Sequence, residues 1–219
     1  MKKLTLASLP LLGVIALLAS GCGGDTATSS KAAVDKPAAP TCPAAWKPGW
    51  QKLANRVGAP VYCPSWVPSP LSGKITAGVS YYGGGGPAVS VSPDHSYLVS
   101  MAWQEPGTGE VHVNFRGYPG RAKVPTCISQ DYNNGKLTST KVPCFADSRG
   151  TVSERGIKAT VYTVNQDADL WHVLYAWHYR GGLYTLSEHL AAPLTYAMVI
   201  RNLHHMLRGL VLVQPTAAT

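Results

Sequence analysis

The sequence predicts an α+β fold: a largely antiparallel sheet of about six strands, with a C-terminal amphipathic helix packed on one face and a short N-terminal helix. Three observations carry that reading. Trp171, Val173, Tyr175, Trp177 and Tyr179 fall on alternate positions, the period of a strand that buries one face. Tyr196, Val199, Ile200, Leu203, Met206, Leu207 and Leu210 fall within an arc of about 120° at roughly 100° per residue, so they make one apolar helix face. No regular alternation of strand and helix patterns occurs, which argues against a parallel sheet.

The elements follow in chain order. Pro48 suits a first helical turn, Trp50, Leu53, Ala54 and Val57 share one face, and Gly58 suits the end. The proline-dense stretch from Pro60 to Pro70 excludes a regular helix or a central strand and reads as an extended arm. Tyr81, Tyr82 and the run Gly83 to Gly86 read as a surface loop, lacking the Lys and Ser/Thr of a phosphate-binding loop. A strand near Ala88 to Val91 turns at Pro93 and Asp94 into Tyr97, Val99, Met101 and Trp103. A turn at Pro106 to Gly109 then leads to Val111, Val113 and Phe115. Gly117 to Gly150 reads as an irregular loop whose two arms, Lys123 to Cys127 and Lys141 to Cys144, echo one another; long loops of this kind are often binding surfaces. Ile157, Ala159 and Val161 form a further strand. The aromatic strand is expected to reverse at Gly181 and Gly182 into Leu183 to Leu190, and Thr195 to cap the last helix.

The first 41 residues differ from the rest. Met1, Lys2 and Lys3 precede an apolar run, Leu4 to Leu18, that is shorter than the roughly 18 to 20 residues of a membrane span. Leu18, Ala19, Ser20, Gly21 and Cys22 resemble the lipobox of bacterial lipoproteins. That resemblance implies cleavage before Cys22, a diacylglyceryl group on its sulfur, and a mature protein anchored to membrane lipid outside the cytoplasm. Two acyl chains anchor stably, at about 0.8 kcal/mol per buried methylene. The resulting division is a signal peptide over 1–21, the lipidated cysteine with a flexible linker over 22–41, and one globular domain over 42–219. The linker's Gly, Ala, Ser, Thr and Pro give it a span of about 24 Å as a coil. The folded part as a whole resembles a family of exported bacterial lipoproteins, with no residue match to a functional motif beyond the lipobox.

Without Lys2 and Lys3 the balance is 17 basic to 11 acidic residues. The positive charge is scattered, without a stripe of Lys and Arg interleaved with aromatics, so nucleic acid is not an expected partner. Five cysteines become four once Cys22 is lipidated, and four in an exported chain read as two disulfides. Three pairings are open; Cys42 with Cys63 and Cys127 with Cys144 are favoured because each closes a compact, proline-bounded segment.

No G-x-S-x-G, no S-x-x-K in the mature domain and no free thiol supports covalent hydrolase chemistry. Ser187, Glu188 and His189 begin like a metal-dependent D-Ala-D-Ala peptidase motif, but Ala192 and Thr195 stand where its glycine and aspartate belong. No cofactor is expected. The sharpest site reading concerns His172 and His189, which the expected hairpin places diagonally on the face opposite the aromatics. There they are candidate metal ligands, with a third donor to come from His112, His95 or Asp169. Two functional classes follow: a non-enzymatic envelope module that binds a protein, wall polymer or lipid, or a metal-dependent enzyme using the hairpin histidines.

Overall fold

The computed structural model describes residues 38–74, 88–105, 109–164 and 171–216. The chain divides after Ala38, and all that follows concerns the unit from Ala39 onward. Its architecture is α+β. Seven antiparallel strands form the main sheet in the order β2 (Ala88–Val91), β3 (Tyr97–Glu105), β4 (Gly109–Tyr118), β10 (Gly182–His189), β9 (His172–Tyr179), β8 (Ile157–Val164) and β7 (Thr151–Glu154). Two two-stranded sheets accompany it: β1 (Val61–Pro64) with β11 (Leu210–Val213), and β5 (Thr126–Asn133) with β6 (Lys136–Pro143). Helix α1 covers Lys47–Val57, α2 is a single turn at Leu71–Lys74, and α3 covers Tyr196–Arg208. No helix among the described residues is long and apolar enough to cross a membrane.

The N-terminal helix forms where proline, apolar spacing and glycine predict it. Proline enters in the first turn, Trp50, Leu53, Ala54 and Val57 are buried, and Gly58 ends the helix at φ 65°. At the other end of the chain the Thr195 hydroxyl accepts the Met198 amide at 3.3 Å and opens α3. Val199, Leu203, Met206 and Leu207 of α3 then bury against the aromatic face of the sheet, in one cluster with Phe115, Tyr175, Trp177 and Tyr184. Each such side chain withdraws enough apolar surface to favour folding by about 1.5–3 kcal/mol, an upper value because real unfolded chains are already partly compact. Tyr62 joins by edge contacts to Trp177 and Tyr184, with ring centres 5.2 and 5.1 Å apart.

Both expected disulfides are formed: Cys42–Cys63 brackets α1, and Cys127–Cys144 closes the segment that contains β5 and β6. In the chain-entropy account loops of this size are worth roughly 3 kcal/mol each. Two disulfides belong to an oxidising, non-cytoplasmic compartment.

Three expectations are corrected and one, the extended arm, is made specific. The helix ends at Arg208, and Leu210 begins β11 instead of closing the helical face, because Gly209 interrupts the helix. The proline-dense arm supplies β1, which pairs antiparallel with β11 from Val61↔Val213 to Pro64↔Leu210; Pro64 is accommodated at the strand's end. The segment 117–150 is irregular only around a hairpin: Asn134 and Gly135, at φ 50° and 74°, make the tight turn between β5 and β6. Its largely polar strands gave no apolar alternation to read. The aromatic hairpin turns at Arg180 and Gly181, at φ 48° and 78°, and not at the two glycines. That choice moves the register by two residues, pairing Leu183 with His178, Thr185 with Ala176, and His189 with His172. The faces survive a two-residue shift. The expected loop at 81–86 and the turn residues 106–108 lie outside the described residues.

Candidate metal centre

The face of the sheet turned away from α3 carries a small apolar cluster on its middle strands that gives way to polar residues toward one strand end. One cross-strand row is Ser100, Asn114, Ser187, Leu174 and Tyr162. In the next, Ala102 faces His112, and His172 stands between His189 and Val164. The pairing of Glu188 with Val113 brings His189 beside His112 when the register is continued by one residue. Three adjacent strands, β4, β10 and β9, thus each contribute a histidine to one row.

Glu110 completes the group. Two positions before His112 on β4, it points to the same face by the strand's period of two. The backbone closes around it: the Glu110 amide donates to the Ala192 carbonyl at 3.0 Å, bringing the chain that leaves β10 back onto the start of β4. Gly109 allows this approach, since at φ 106° a side chain there would run into the Ala192 carbonyl. The Leu190 amide donates to the Trp171 carbonyl at 2.8 Å, so the β9–β10 ladder is closed at the level of the histidines.

Glu110 Oε1 lies 3.3 Å from His112 Nδ1 and 3.3 Å from His189 Nδ1. One donor atom from each of Glu110, His112 and His189 lies within 4.8 Å of the others. A tetrahedral ion with bonds of 2.0–2.2 Å holds its ligand atoms about 3.3–3.5 Å apart. On its other side, His112 Nε2 stands 3.0 Å from Asn114 Oδ1 and 2.8 Å from Ser100 Oγ. In the tautomer whose Nε2–H donates to the Asn114 carbonyl, Nδ1 presents its lone pair toward Glu110, the arrangement that orients a histidine ligand. His189 Nδ1 is buried and makes no hydrogen bond of good geometry despite its distance to the carboxylate. A cation shared by Glu110, His112 and His189 would satisfy the carboxylate oxygen and both imidazole nitrogens at once. The side chains of Glu110, His112 and His189 are only 15–22% exposed, so water screens the cluster weakly.

His172 stands next to this set. Its ring centre is 5.0 Å from that of His189, nearly parallel to it, and 5.0 Å from that of His112. It is 3% exposed. The hairpin alone points to His172 and His189; in the fold His189 and His112 meet over Glu110, with His172 alongside. His95 sits elsewhere, in the β2–β3 turn beside Arg56, Ser92 and Pro93. Asp169 lies outside the described residues. Glu110 was missed, although Glu-x-His within a strand pattern puts a carboxylate and an imidazole on one face.

Directly through the sheet from His189 sits a second carboxyl. Glu188 is fully buried on the α3 side, accepts a hydrogen bond from the Asn202 amide at 2.8 Å, and leaves Oε2 without a partner. Burial pushes its pKa up to about 8, against the lowering effect of that hydrogen bond. It faces away from the histidines, since alternate residues of β10 point to opposite faces.

No protein-family model, curated protein or solved structure matches the chain.

Proposed function

We propose that this chain is an exported, lipid-anchored protein that binds a divalent transition metal at Glu110, His112 and His189. The observation that carries the metal is the convergence of two imidazole nitrogens on one carboxylate oxygen at 3.3 Å each. Two nitrogens and one oxygen suit zinc or copper better than calcium or magnesium, which prefer oxygen alone. The anchor rests on the lipobox-like Leu18 to Cys22 and accords with the two disulfides.

A metal-dependent enzyme is the second reading, favoured by the number of converging donors. Three protein ligands leave a coordination position where a metal-bound water could be activated.

Purification of the full chain from the membranes of expressing cells tests anchor and metal together. Intact mass is expected to show a mature protein beginning at a lipidated Cys22, and elemental analysis to show stoichiometric zinc or copper that Glu110→Ala and His189→Ala forms lack. A mature form beginning elsewhere overturns the anchor; equal metal in parent and variants overturns the site.

A further inference from the structure

The position left open by three ligands has a candidate occupant within the fold. We infer that His172 is the fourth ligand of the same ion, so that the centre is closed by protein and captures metal instead of activating water. This rests on the metal-binding reading above.

The strand register makes the first part of the argument. His172 pairs directly with His189, and the ladder that sets this pairing continues to Leu190 and Trp171. His189 therefore has one histidine neighbour on each side, His112 on β4 and His172 on β9. Neighbouring strands run about 4.8 Å apart, which suits side chains from three adjacent strands to surround one ion.

The ring spacings make the second. An imidazole nitrogen 2.0–2.1 Å from an ion places its ring centre about 3.2 Å from that ion, and two such ligands at a tetrahedral angle have centres about 5 Å apart. The observed separations are 5.0 Å for His172 and His112, 5.0 Å for His172 and His189, and 6.2 Å for His112 and His189. The centre of the His172 ring already stands at ligand spacing, although its nitrogens are outside the set of donor atoms that converge within 4.8 Å. The His172 ring lies nearly parallel to that of His189, at 12°, so ligation requires it to turn about its Cβ–Cγ bond, which swings a nitrogen toward the ion while the ring centre stays in place.

Burial makes the third. At 3% exposure His172 closes off the side of the cluster toward β8, where Val164 is its cross-strand partner and is itself 3% exposed. A catalytic ion keeps one coordination position for water and substrate, and His172 stands where that position toward β8 would be; a captured ion needs none. With Glu110, His112, His189 and His172 as ligands the site has the three nitrogens and one oxygen that suit zinc or copper.

Cobalt(II) bound to the full chain reads coordination number directly. The parent is expected to show the intense visible bands of a four-coordinate ion, unchanged when azide is added. His172→Phe, which keeps the ring's volume, and His172→Gln, which keeps a polar group, are both expected to weaken the bands, admit azide and lower zinc affinity at least tenfold. A parent spectrum that azide perturbs, or variants that keep the parent's spectrum and affinity, overturns the fourth ligand while leaving the three-ligand site intact. A parent that takes up no cobalt overturns both.

Discussion

The two faces of the main sheet are built by different means. On one, α3 and the β1–β11 pair bury Val113, Tyr175, Tyr184, Leu186 and Leu203 in a continuous apolar core. On the other, a smaller cluster of Phe145, Val164, Leu174, Ala176 and Leu183 gives way, toward the strand ends, to Asn114, Ser187 and the histidines. Apolar contact is non-directional and each side chain adds its share of stability. Polar groups on the second face are held by hydrogen bonds at specified atoms, and such groups position more than they stabilise. The first face should therefore govern whether the protein folds and the second what it binds.

The largest expected effect separates the two. Leu203→Ala removes a fully buried side chain from α3 and should lower stability by about 3 kcal/mol, as buried leucines generally do, while the variant's folded fraction binds zinc as the parent does. Urea unfolding with and without zinc measures both. A cost below about 1 kcal/mol would mean that α3 does not secure the core.

Glu188 is a polar residue on the apolar face. Its pKa is about 8 in the fold against 4.5 for an unperturbed glutamate. Above pH 4.5 the unfolded chain releases this proton while the folded chain keeps it. Its contribution to stability is therefore complete below that pH, falls as pH rises, and levels off above about 8. The slope within that window approaches about 1.4 kcal/mol per pH unit. Glu188→Gln removes the titration and leaves an amide for Asn202, so its stability relative to the parent should rise between about pH 5 and pH 8. Unfolding curves at several pH values, with a chelator present, measure the difference. Parallel curves for parent and variant would show that Glu188 is ionised in the fold.

How much was legible follows the same division. The two long helices and the cores of β3, β4, β8 and β9 were readable because each has its own period: Trp50, Leu53, Ala54 and Val57 repeat as a helix, Val173 to Tyr179 as a strand, whereas Trp171, expected on the same buried face, precedes β9 at φ 61° and is exposed. The polar hairpin β5–β6 was missed for want of apolar alternation, although Asn134–Gly135 is a strong turn signal that outweighs it. Strand β11 was missed because its four residues continue the apolar composition of α3, and only Gly209 marks the change. The histidine pair was placed on the correct face despite the wrong turn, since a shift by two residues preserves the faces. Glu110 was not found because its meeting with His189 depends on β4 pairing with β10 across some 70 intervening residues, a contact no local pattern encodes.

The smallest expected effect is that of the histidines on stability without metal. His189 is partly exposed and makes no hydrogen bond through its buried Nδ1, so His189→Ala should change metal-free stability by less than about 1 kcal/mol. Scanning calorimetry of the full chain with and without zinc reads the metal centre in the intact protein. At roughly one hundred times the dissociation constant, zinc should stabilise the parent by about 2.7 kcal/mol and leave Glu110→Ala and His189→Ala unmoved. Zinc that stabilises all three proteins equally, or none of them, would contradict a metal centre at Glu110, His112 and His189.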